Sequence, residues 1–171
     1  MPATRTKTDP KSRPRPTPAA AKTSTPKPSY IGLLNAIAVA EHGGGAYLTA
    51  WAESTRNAEL AAVLQFVAVR EAEHYHAFRK RLVELGFDVR WPDDRSRAAH
   101  DVEVAVSSMS DDEKWQHFGI GRIQEHDVFD DMFHDKQIDP ITGGLLGRFI
   151  AEERDSTRRF AECYASGIVG R

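Results

Sequence analysis

The segment AVREAEHYHAF, residues 68–78, places Glu71, Glu73, His74 and His76 within six consecutive positions. Carboxylates and imidazoles bind metal ions and carry protons, so what matters is which of the four share a buried face. Apolar residues recur at Leu60, Leu64, Val67, Phe78, Leu82 and Leu85, at the three- and four-residue spacing of one helical face. Glu71 and His74 continue that series, whereas Glu73 and His76 fall on the outer side, toward Lys80. A carboxylate inside a packed stripe is costly unless a counter-charge or a metal ion meets it. Pairing of Glu71 with His74, or of either with an arginine, is one solution; a bound metal is the other.

Three further segments repeat the pattern. Glu41 interrupts the series Leu34, Ile37, Gly44, Leu48, Trp51. Glu125 interrupts Phe118, Gly121, Val128 or Phe129, Met132, and Glu153 interrupts Leu146, Phe149, Ser156, Phe160, Tyr164. The turn near residues 56–57 lies about 15 residues from both Glu41 and Glu71, and the turn at Asp139 lies 14 from both Glu125 and Glu153. With a rise of about 1.5 Å per residue, each antiparallel pair is expected to be level. No lysine or arginine stands in the four stripes to neutralise four glutamates. One or two metal ions would.

The elements that must position these residues are four long helices, over residues 31–54, 58–85, 111 to about 136 and 140 to about 165. Asn57 separates the first two, and Gly86 ends the second. Ser110 with Glu113 has the spacing of a capping box. Asp139-Pro140 offers an N-cap followed by a first-turn proline. The first and second helices join by a tight turn, as do the third and fourth. Between helices 2 and 3 lie residues 87–110, a crossover long enough for a short helix of its own. The expected fold is all-α, an antiparallel four-helix bundle with one long crossover between helices 2 and 3.

Glu, Glu-x-x-His, Glu and Glu-x-x-His on successive helices is the ligand set of di-iron carboxylate proteins. Over residues 30–165 the chain resembles the rubrerythrin and ferritin-like superfamily, without a rubredoxin domain. The resemblance implies Glu41, Glu71, His74, Glu125 and Glu153 as metal ligands, with iron as the metal, one or two ions, and manganese as an alternative. The departure is Ser156, which stands where the family's second histidine belongs. Were Glu152 the ligand instead, Asp155 would take that place; the more apolar flanks of Glu153 favour Glu153. The loss of one nitrogen implies unequal sites, with Ser156→His restoring the weaker one. The resemblance further implies Fe(II) oxidation or peroxide detoxification, a homo-oligomer of two or more chains, and an external electron donor for any peroxidase turnover.

Composition sets the remaining expectations. Residues 1–29 carry seven Lys/Arg against Asp9 alone, a balance of +6, and hold seven of the nine prolines. Since the whole chain is −2, residues 30–171 carry −8. Residues 1–29 are expected to be a disordered basic tail, and residues 30–171 the bundle. The tail lacks an apolar signal core, and its prolines argue against an amphipathic transit helix. A basic tail can grip DNA phosphates, so a DNA-associated stress protein is a second functional class, although the acidic body would oppose it. A degenerate bundle acting as a scaffold is a third. The single cysteine, Cys163, excludes an internal disulfide and a CxxC metal site; it is expected in the core and fits a cytoplasmic location. No apolar run is long enough for a membrane span.

The run Gly43-Gly44-Gly45 is expected either to kink the first helix or to make room beside the metals. His42 and His126 adjoin Glu41 and Glu125 in sequence but point about 100° away on a helix, toward surface contacts.

Overall fold

The structure, a computed structural model, describes residues 27–120 and 135–167. Among these residues all regular structure is helical: α1 (Ile31–Ser54), α2 (Ala58–Glu84), α3 (Ser96–Val106), α4 (Asp111–Phe118) and α5 (Pro140–Ala165). None of these helices is long and apolar enough to cross a membrane.

Short polar signals set the helix ends. The Asn57 side chain accepts hydrogen bonds from the Glu59 and Leu60 amides and starts α2. Ser110 and Glu113 form the reciprocal capping box of α4. Asp139 caps α5 by accepting from the Ile141 and Thr142 amides, with Pro140 in the first turn. Gly86, at φ 86°, turns the chain out of α2.

The long helices pack antiparallel. On the α1–α2 face Glu41 meets His74, Gly44 meets Glu71, and Gly45 meets Ala68. On the α2–α5 face Arg81 meets Thr142, Phe78 meets Phe149, His74 meets Glu152, and Arg70 meets Ser156. The crossover contains α3, which covers the end of α1; there the Ser54 hydroxyl donates to the Ala105 carbonyl.

Two apolar clusters fill the interior. One contains Tyr30, Ile31, Leu34, Ile37, Phe78, Leu82, Leu146, Phe149 and Ile150. The other contains Leu48, Trp51, Leu60, Leu64, Val67, Trp115, Phe160 and Cys163. On α1 the change from one to the other spans Glu41 and Gly44; on α2 it spans Glu71 and His74; on α5 it spans Glu152, Glu153 and Ser156. A polar layer therefore crosses the three helices between two dry halves.

Two expectations require correction. A single helix over residues 111–136 does not form: α4 stops at Phe118 because Gly119 adopts a left-handed conformation at φ 64°, and Asp135–Asp139 is a turn. Residues 121–134, with Glu125 and His126, lie outside the described residues. Tyr164 is half exposed, and Cys163 holds the inward position instead. The three glycines do not break α1, which is continuous from Ile31 to Ser54. Ser29 donates to Asp135 and Gln137, and the Lys27 ammonium lies over the Phe87 ring.

Candidate metal centre

The polar layer is organised around His74, which is 3% exposed. One edge of its ring faces α1 and α5: Nδ1 lies 3.0 Å from Glu41 Oε2 and 3.4 Å from Glu153 Oε1. The other edge faces Glu152, with Nε2 2.7 Å from Oε2. Arg148 holds the second oxygen of Glu152, its Nε donating to Oε1 at 3.0 Å. The Phe149 ring packs edge-on against the imidazole, with centroids 5.0 Å apart. A cavity of about 320 Å³ between α2 and α5, lined by Glu73, His76, Ala77, Leu145, Arg148 and Phe149, reaches His74 from the outside.

Glu71 enters the same layer one turn along α2, and the turn of α1 opposite it is Gly44. A Cβ at Gly44 would overlap Glu71 Oε2. Gly45 is also close, with its Cβ position 3.5 Å from Glu71 Cβ and from the Ala68 carbonyl. The glycines thus serve close approach of α1 to α2, and Gly44 makes the space that the Glu71 carboxylate occupies. The expected level pairing of Glu41 with Glu71 shifts accordingly: Glu41 is level with His74, and Glu71 reaches back to it.

The electrostatics show a cluster short of positive charge. Burial raises the Glu71 carboxyl well above the carboxylate range, and the neighbouring Glu41 and Glu153 push it further. Burial raises Glu41 as well, opposed by its contact with His74. Burial alone would lower His74, but Glu153, Glu41 and Glu152 outweigh it and hold the imidazolium to about pH 10. Glu152 goes the other way: against burial, its bonds to His74 and Arg148 keep it ionised. Among the described residues the buried Glu153 Oε1 has no hydrogen-bond partner, its nearest charge being His74 Nδ1 at 3.4 Å. Such an atom is expensive unless something outside the protein satisfies it.

These features fit a cation. Glu41, His74 and Glu153 each present one donor atom, and the three lie within 4.8 Å of one another. A metal ion would displace the Nδ1 proton of the imidazolium; with the Nε2 proton kept on Glu152, the Nδ1 lone pair would then face Glu41 and Glu153. Two carboxylates and one imidazole are a donor set for a divalent metal ion. Of the sequence-derived ligand set, Glu41, Glu71, His74 and Glu153 come together, and Glu125 lies outside the described residues. Glu153 and Glu152 both reach His74, from opposite ring edges, so the two readings of the α5 phase become two different contacts.

His42 and His76 stay at the surface. The His42 ring packs against Tyr75 and Trp91 rather than entering the centre. Sequence reasoning missed Arg70 and Arg148. Arg70 Nη1 donates to the Ser156 hydroxyl at 3.0 Å, the Glu152 carbonyl at 2.8 Å and Asp155 at 3.1 Å. The only available signal was their position: Arg70 directly precedes Glu71, and Arg148 lies four residues before Glu152.

Compared with protein-family models, curated proteins and solved structures, the chain matches none.

Proposed function

We propose that the protein is a metal-binding, ferritin-like protein that acts in Fe(II) oxidation or peroxide detoxification. The observation that carries this reading is the convergence of one donor atom each from Glu41, His74 and Glu153 within 4.8 Å of one another, inside a layer bounded by apolar clusters. The α1–α2 hairpin, the antiparallel α5 and the long crossover after α2 support a ferritin-like arrangement.

Each residue's work follows from its contacts. Glu41, His74 and Glu153 would hold the ion, and Glu71 would add a carboxylate from the next turn. Glu152 fixes the imidazole tautomer, and Arg148 fixes Glu152. Phe149 excludes water from one ring face, while the cavity beside Arg148 gives small molecules a path to His74. Iron held by hard oxygen donors supplies a couple biased toward Fe(III), hence oxidation by oxygen or hydrogen peroxide.

The test is anaerobic titration of metal-stripped protein with Fe(II) and Mn(II), followed by exposure to oxygen or peroxide while Fe(III) formation is monitored. Saturable binding is expected, weakened at least tenfold by His74→Ala and by Glu41→Ala. A folded wild type that binds neither ion would overturn the reading. Binding without accelerated Fe(II) oxidation would remove the reaction and leave the metal site.

A further inference from the structure

We infer that the Arg70 guanidinium occupies the place of a second cation, so that the centre holds a single metal ion. This rests on the metal reading above and specifies its stoichiometry.

The polar layer has two tiers, one helical turn apart. The first contains the three converging donors Glu41, His74 and Glu153. In the second, Glu71 stands against Gly44, and Ser156 stands on α5 one turn beyond Glu153. Ser156 is buried, 3% exposed, so its hydroxyl is turned inward where a donor for a second ion would be needed. That hydroxyl is already engaged, accepting from Arg70 Nη1 at 3.0 Å. The same nitrogen also meets the Glu152 carbonyl and Asp155 Oδ2, so three acceptors on α5 surround one guanidinium nitrogen. The head is braced from below by the Phe66 ring, 4.7 Å from its central carbon. A guanidinium keeps its charge at any pH the fold survives. A metal ion approaching Ser156 would meet that charge and a lone pair already directed at a hydrogen.

The charge of Arg70 is fixed on this stretch of α5, where its Nη1 pairs with Asp155 at 3.1 Å beside the Ser156 hydroxyl. The two unequal iron sites expected from Ser156 are thereby replaced by one site and an arginine, and Ser156→His alone will not create the second.

Equilibrium dialysis of the full chain against Co(II) and, without oxygen, Fe(II), with bound metal quantified per chain, tests this directly. One equivalent is expected for the wild type and for Ser156→His, and two for Arg70→Ala/Ser156→His, with the Co(II) visible absorption rising in proportion. Two equivalents of similar affinity in the wild type would overturn the inference and leave the metal reading intact. A folded double variant that stays at one equivalent would do the same. No binding in any form would overturn both. Should the double variant not fold, Arg70→Met/Ser156→His keeps an apolar stem over Phe66 and must bind the second equivalent at least tenfold more tightly than Ser156→His.

Discussion

The Nε2 of His74 lies 2.7 Å from Oε2 of Glu152, on the ring edge opposite the one that faces Glu41. Adjacent glutamates on α5 therefore have different duties. In the proposed centre Glu153 would be a donor to the ion, while Glu152 would hold the proton-bearing side of the imidazole. Outer partners of this kind typically contribute roughly 10–100-fold in metal affinity. Glu152→Ala should weaken binding within that range, and Glu152→Gln only a few-fold, because the amide oxygen still accepts from Nε2–H. Glu153→Ala should weaken it more than either. Titration calorimetry of the three variants decides; equal losses for Glu152→Gln and Glu153→Ala would mean that Glu152 itself touches the ion.

Gly43 and Gly44 separate helix stability from binding. A methyl at Gly43 meets nothing within 4 Å, whereas one at Gly44 overlaps the end of the Glu71 side chain. Alanine is favoured over glycine in a helix by about 1 kcal/mol. Gly43→Ala should raise stability by about that amount and leave metal binding unchanged. Gly44→Ala should gain less, because the flexible Glu71 carboxylate must swing away, and should lose metal affinity. Thermal melts and metal titration of both variants provide the comparison; unchanged affinity in Gly44→Ala would show that Glu71 is dispensable.

What the sequence disclosed and what it hid follow from how each residue acts. Glu41, Glu71, His74 and Glu153 were legible because a helix fixes where Cβ points, and four polar residues in apolar stripes stand out. Asn57, Ser110 with Glu113, Asp139-Pro140 and Gly86 were legible because caps and left-handed turns demand particular side chains. Arg70 and Arg148 were not. Their Cβ atoms lie off the inward stripe, and long flexible stems carry the charge back to Ser156 and Glu152. Periodicity reports Cβ direction and says nothing about the far end of such a chain. Gly119 could have been read as a helix stop, following His117 in a last turn, but the apolar series running on to Met132 outweighed it. Tyr164 was misjudged because periodicity does not report what a side chain packs on: its ring lies half exposed, stacked on Trp115 of α4, and Cys163 is the buried residue of that turn.

The crowding of acids has a consequence for the metal-free protein. Glu71 is half-buried beside Glu41 and Glu153, and these surroundings hold its carboxyl protonated at neutral pH at a cost to folding. Glu71→Gln keeps the shape and removes that cost. It should stabilise the metal-free form by about 1–3 kcal/mol, the scale on which relieving an unfavourably placed ionisable group acts. It should also lower metal affinity and shrink the rise in melting temperature that metal produces in the wild type. Calorimetric melts with chelator and with metal measure both effects. A Glu71→Gln protein less stable than wild type under chelator would show that Glu71 is held by contacts rather than strained by them.

Asp139 gives the fold its acid dependence at the start of α5. Its Oδ2 accepts from the Tyr30 hydroxyl at 2.6 Å, the Thr142 hydroxyl at 2.7 Å and Arg81 Nη2 at 2.9 Å, while Oδ1 takes two backbone amides. The Tyr30 bond, with those from Thr142 and Arg81, holds its carboxyl well below the ordinary range. A carboxyl depressed in the folded state stabilises fully above its unfolded pKa, about 3.9, and progressively loses that contribution as pH falls toward the folded value. Asp139→Ala removes the cap, the tie to α1 and the ion pair, and should cost about 2 kcal/mol at pH 7. Asp139→Asn retains an acceptor for the cap and should cost less, about 1 kcal/mol, the remainder being discounted because the side chain is 31% exposed. For both variants the difference from wild type should narrow between pH 4 and the acid limit of folding, since the wild type alone is losing the ionised contribution there. Urea denaturation at pH 7 and at pH 2.5 measures it. A gap that stays constant or widens in acid would mean that the Asp139 contacts stabilise through shape alone, and that the Arg81 charge contributes nothing to the junction of α1, α2 and α5.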